Sequence, residues 1–137
     1  MNRIDLQELS KIRLKEAHAL LRLGLSDGAY YLAGYSVECA IKAVIAKKTN
    51  RGDFPDKKRV DSSYTHSLKD LIRVAELEYA HAAKIAEDPL FKKYWDVAQA
   101  WSEQSRYQRP GPASAKLLVS AVGDRRHGII SWLKLHW

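Results

Sequence analysis

"DGAYYLAGYSVECAIKAVIAKK", residues 27–48, decides the fold. Ala29, Ala33, Val37, Ala40, Ile41 and Val44 recur at spacings of three and four, so the segment reads as a helix from Asp27 to about Lys48 with one apolar face. Its alanines let a neighbouring helix approach closely. Tyr31, Tyr35, Glu38 and Lys42 follow one another at intervals of four, three and four, forming a stripe beside that face. Two opposite charges inside a stretch otherwise made for burial admit two readings. One is a Glu-before-Lys pair on a solvated face, worth roughly a few tenths of a kcal/mol. The other is a polar seam that faces a groove or a second subunit.

Working outward, Leu6, Leu9, Leu14, Ala17, Leu20 and Leu21 keep a helical rhythm that Gly24 stops, which predicts a first helix over residues 4–24. On the other side, "TNRGDFPDKKRVDSSY", residues 49–64, has no apolar period and reads as a long loop. Its Arg51, Lys57, Lys58 and Arg59 are a solvated charge run or reach an anionic ligand. "THSLKDLIRVAEL" opens a third helix, with Thr65 or Ser67 as its cap and Leu68, Leu71, Ile72 and Ala75 facing inward; "EYAHAAKIAE" is compatible with its continuation. Asp88 at a cap position and Pro89 at the first helical position start a fourth, with Tyr94, Val97, Ala98 and Trp101 as its stripe. "RYQRPGP", residues 106–112, breaks the pattern, and a fifth helix is predicted from about Ala113 to Leu135 in spite of Gly123 and Gly128. No segment alternates as a strand would. The expectation is a single all-α domain over residues 1–137, a four- to five-helix up-and-down bundle.

A chain of 137 residues, 46% apolar and 28% charged with seven glycines and four prolines, carries enough apolar surface for one core and is unlike a disordered or fibrous sequence. No apolar run approaches the roughly 20 residues needed to cross a bilayer, and the start lacks a signal-peptide block. A cytoplasmic protein with no membrane association is expected. The lone Cys39 has no partner for an intramolecular disulfide and falls in the apolar phase of its helix, as a small buried hydrophobe would. Lys and Arg outnumber Asp and Glu 23 to 16, a net charge of +7, which is compatible with a polyanionic partner such as nucleic acid.

For a ligand, the cluster of Arg106, Tyr107 and Arg109 draws attention: an arginine fork binds phosphate bidentately and a tyrosine stacks on a base. His66 stands at the start of the third helix, where it joins the capping turn or lines a site. His127 lies beside Arg125 and Arg126 on a basic stretch. Trp95, Trp101, Trp132 and Trp137 read as core or dimer interface in preference to a stacking platform. There is no H-E-x-x-H, no Cys-His set, no phosphate-cradling glycine loop and no nucleophile elbow, so no cofactor or metal is expected.

The series "DGAYYLAGYSVECAIKA", then "THSLKDLI", then "RY" followed by prolines, then a long helix ending "GIISWLKLHW", resembles the HEPN family (higher eukaryotes and prokaryotes nucleotide-binding), in its prokaryotic stand-alone form, over nearly the whole chain. The E-C-A-I-K-A and T-H-x-L segments are the most specific parts of the likeness. The resemblance implies a helical bundle, commonly a homodimer, in a family that holds metal-independent ribonucleases, partners of minimal nucleotidyltransferases in toxin–antitoxin pairs, and noncatalytic members. The ribonucleases of that family carry an arginine and a histidine with four to six residues between them, near the start of a late helix. Here Arg106 is followed by Tyr107, Gln108, Arg109, Pro110, Gly111, Pro112 and Ala113, so the general acid or base is missing at that place. The same spacing in Arg13 to His18 and Arg59 to His66 falls elsewhere and reads as chance. The expected protein therefore binds a nucleotide or RNA through Arg106, Tyr107, Arg109, Glu38, Lys42 and His66. Two other readings stay open: an active metal-independent ribonuclease with a nonstandard residue set, and a noncatalytic protein-binding module.

Overall fold

The structure, a computed structural model, describes residues 1–49 and 57–137. Among the described residues the chain is all-helical, with eight α-helices, one 3-10 helix and no strand. Helix α1 (Arg3–Arg22) opens with a capping box, in which Asn2 Oδ1 accepts from the Asp5 amide at 2.9 Å and Asp5 Oδ2 accepts from the Asn2 amide at 3.0 Å. It closes on Gly24 at φ +78°, where the Leu25 amide donates to the Leu20 carbonyl, a turn that glycine adopts without strain. Helix α2 (Ser26–Lys48) returns antiparallel to α1: Ser10 Oγ donates to the Ser36 carbonyl and Ser36 Oγ to the Ser10 carbonyl, both at 2.8 Å, while Leu20 lies against Gly28. These reciprocal bonds satisfy two buried hydroxyls and fix the register of the pair.

Helix α2 is the centre of the molecule, packing against α1 and most of the later elements. Ala29, Ala33, Val37, Ala40, Ile41 and Val44 are all buried, as the apolar spacing requires. Lys57–Ser63 forms a short helix, α3, inside the stretch expected to be loop; Arg51 lies outside the described residues. Arg59 of α3 donates to the Lys48 carbonyl at 3.4 Å and so covers the C-terminal end of α2.

The expected third helix does not run on into "EYAHAAKIAE". Helix α4 (Leu68–Val74), capped by Ser67, ends at Ala75 and Glu76; Glu76 takes φ +59° and the Leu77 amide reaches back to the Ile72 carbonyl at 3.0 Å. Burial of Leu71, Ile72, Ala75 and Leu77 holds the chain in that turn although no glycine is present to relax it. Helix α5 (Glu78–Glu87) follows, and Asp88 alone separates it from α6 (Pro89–Gln99), accepting from the Phe91 amide at 3.0 Å as the cap predicted for it. A 3-10 helix (Glu103–Tyr107) comes next, then α7 (Pro112–Gly123) and α8 (Ile129–Leu133).

The continuous helix expected from Ala113 to Leu135 is therefore interrupted. Asp124 Oδ1 accepts from the amides of Arg126 at 2.8 Å and His127 at 3.2 Å, offering the backbone an alternative to the helix. Gly128 then lies so close to the Asp124 backbone that a Cβ there would overlap it. Trp95, Trp101 and Trp132 are buried and Trp137 packs partly on the core, in agreement with the packing reading. Among the described residues no helix is long and apolar enough to cross a membrane.

Candidate functional site

The polar stripe of α2 meets the start of α4 and the 3-10 helix. Glu38 is 1% exposed, so the solvated-face reading of its pair with Lys42 does not hold. Glu38 Oε1 accepts from Lys42 Nζ at 3.1 Å and is bonded to His66 Nδ1. The other ring nitrogen, His66 Nε2, faces Glu103 Oε2 at 3.1 Å. Both nitrogens can donate at once only when the ring is an imidazolium. Glu38 Oε2 is buried and accepts no hydrogen bond from the described residues. Buried carboxylate oxygens are rarely left so, because the desolvation cost of the charge is then only half repaid.

Local sequence explains the convergence. Ser67 caps α4, which sets His66 in the extended turn just before it, beside the middle of α2. Trp101 lies flat against Gly34, where a Cβ would overlap the indole, and stacks with Tyr31 at 6.1 Å between ring centroids. This contact brings the chain that follows it along α2. Ser102 caps the 3-10 helix through the Gln104 amide at 3.3 Å, and at its far side the Gly111 amide donates to Asp27 Oδ1 at 3.1 Å. In a 3-10 helix residues i and i+3 are eclipsed, so Arg106 rises on the same edge as Glu103.

Arg106 and Tyr107 are exposed, and the guanidinium carbon lies 5.0 Å from the tyrosine ring centroid, a cation–π pair on the surface. Arg109 is exposed beyond them and makes no ion pair with the described residues. Of the six residues read from the sequence, Glu38, Lys42 and His66 are thus bonded directly, Arg106 and Tyr107 join them through the 3-10 helix, and Arg109 stands apart. Glu103 was not foreseen. Its signal was present in the three-residue interval to Arg106, which carries meaning only once that turn is known to be 3-10.

Around the site, burial and then the charge of Glu38 push the Cys39 thiol up to about 11, so it stays protonated and unreactive. Tyr35, stacked on Tyr31 at 6.1 Å, has its phenol raised by burial first, with the charge of Glu38 adding to the shift. His127 Nδ1 lies 2.8 Å from Asp88 Oδ2, which ties the α7–α8 turn to the cap of α6. Arg13 pairs with Glu16 on its own helix, and His18 lies against Gly123 of α7. Neither is bonded to Glu38, Lys42 or His66. Among the described residues no group of three His, Cys, Asp or Glu side chains is arranged to hold a metal.

No protein-family model, no curated protein and no solved structure matches this chain.

Proposed function

We propose that this protein is a noncatalytic, HEPN-like module that binds RNA or a nucleotide, acting as a homodimer and pairing with a minimal nucleotidyltransferase in a toxin–antitoxin system. The observation that carries the binding is the exposed Arg106–Tyr107 pair, stacked at 5.0 Å on a 3-10 helix whose first residue, Glu103, is bonded through His66 to the buried Glu38. Arg106 offers a planar fork for a phosphate, and the open face of Tyr107 stacks with a base, a sequence-tolerant contact worth about 1–3 kcal/mol per base. Lys42, partly exposed beside Glu38, adds a second cation. Glu38 acts as a positioning residue: it holds His66, which holds Glu103 and the turn that presents Arg106. The net charge of +7 supports a polyanionic ligand. Arg106 lacks the downstream histidine of the family's ribonucleases, which favours binding over cleavage.

The test is incubation of end-labelled single-stranded RNA with the wild type and with Arg106→Ala in the absence of metal. Retention on a native gel that the substitution weakens, with no new band on a denaturing gel, is the expected result. Cleavage by the wild type would replace this reading with a ribonuclease of nonstandard residues. Neither retention nor cleavage would leave the site to a protein partner.

A further inference from the structure

A second surface shares no residue with the Glu38 cluster. Between α1 and α8 runs an open cleft of about 470 Å3. Lys11, Lys15 and Arg22 of α1 and Lys134 just beyond α8 form its rim, Leu14 and Ile130 its floor, and His18 closes one side. No acidic side chain lines it. Lys15, Arg22 and Lys134 make no ion pair with the described residues, and Lys11 lies 5.7 Å from the ring centroid of Trp137, an aromatic partner and not an acid. Some of the other described cations are paired: Lys42 with Glu38, Lys84 with Asp88, Lys92 with Asp96, Arg13 with Glu16. Four like charges around one cleft repel one another, and no acidic side chain lining it offsets that repulsion.

We propose that this cleft is a docking site for an acidic amphipathic helix of a partner protein. Its length and composition select that occupant. Lys11 to Arg22 spans twelve residues of α1, about 16 Å of axis, which is three turns of a helix lying alongside. Such a helix places apolar anchors at intervals of three and four on the Leu14–Ile130 floor and carries Glu or Asp to the flanking rim cations. A nucleic-acid backbone uses the rim and leaves the apolar floor unused. Opposite charges across the rim steer encounter and fix register, whereas the floor supplies the buried area.

The probe is a synthetic helical peptide with leucines on one face flanked by glutamates, titrated into isotope-labelled full-length protein and followed by NMR. Shifts confined to Leu14, His18, Ile130 and their neighbours are expected, with affinity falling about tenfold in the Lys15→Glu/Lys134→Glu double variant and recovering toward a peptide whose glutamates are replaced by lysines. These exposed substitutions leave the helical circular dichroism as in the wild type. A scrambled peptide of equal charge that bound as well would reduce the cleft to a nonspecific cation patch and overturn the proposal. So would single-stranded RNA shifting these same resonances while the peptide does not, or no shift with either. Arg106→Ala leaves peptide binding unchanged, which separates this surface from the RNA-binding reading.

Discussion

Glu38 and His66, 28 positions apart in the chain, meet as a buried carboxylate and a half-exposed imidazole, and one carboxylate oxygen takes both this bond and that of Lys42 while the other accepts no hydrogen bond from the described residues. A residue kept for stability would be better satisfied. Lys42 and His66 both reach solvent and can rehydrate if the carboxylate is removed, so Glu38→Met should leave the unfolding free energy unchanged or raise it by up to about 2 kcal/mol. The same substitution should weaken RNA retention as severely as Arg106→Ala, because the turn that carries Arg106 loses its anchor. Urea unfolding and native gels on one preparation check both halves; a loss of stability beyond about 3 kcal/mol would make Glu38 a structural residue.

Gly34 faces the Trp101 ring at a distance that leaves no room for a methyl group. Gly34→Ala should therefore cost about 1–3 kcal/mol by overpacking, in spite of the better helix propensity of alanine, and should change tryptophan fluorescence. Gly28 is the control: a Cβ there lies 3.3 Å from Leu20 Cδ1, the movable end of a flexible side chain. Gly28→Ala should be neutral or stabilising by about 0.5 kcal/mol, read from the same thermal melts.

Glu76 is the one residue other than glycine with positive φ among those described. Glu76→Gly removes the crowding of a Cβ in the left-handed region and should stabilise the protein by roughly 0.5–1 kcal/mol. The backbone carbonyl that accepts from Lys48 Nζ at 3.2 Å is retained, so that contact persists. A raised urea midpoint with an unchanged slope is the expected reading.

Asp88 has its carboxyl held well below the ordinary range, first by the hydrogen bond from His127, then by the Phe91 amide and Lys84. A folded-state pKa lower than the unfolded one means that the native state holds the proton less tightly, so the stabilisation is fully present above the ordinary aspartate value of about 4 and is lost as the pH falls below it toward the depressed value. Asp88→Asn should be less stable than the wild type at neutral pH, and the gap should close progressively in acid. Urea midpoints measured from pH 7 downward test this; a gap that is constant with pH would contradict it.

Cys39 is buried, and its thiol is pushed up to about 11. At pH 8 about one thiol in a thousand is ionised, and that fraction is shielded by the core. Iodoacetamide should leave the folded protein unmodified and label it completely in urea, as mass spectrometry will show.

The apolar spacing of Ala29 through Val44, the glycine stop at Gly24 and the Asp88–Pro89 start were legible because each is local: a period, a special φ or a cap depends on residues within one or two turns. The breaks at Glu76 and at Asp124–Gly128 were not, since a helix-compatible sequence was bent there by burial of Leu77 in one case and by an aspartate competing for backbone amides in the other. The stripe of Glu38 and Lys42 was visible, and with it the choice between a solvated pair and a polar seam that faces a groove or a second subunit; only packing decides whether that stripe is covered. Sequence by itself determined that the chain is helical and that Ala29, Ala33, Val37, Ala40, Ile41 and Val44 of α2 enter the core. Tertiary structure alone decided that His66 lies between Glu38 and Glu103, that Arg106 rises beside them, and that Lys15 and Lys134 share a cleft, because contacts between segments far apart in the chain leave no periodic mark on either one.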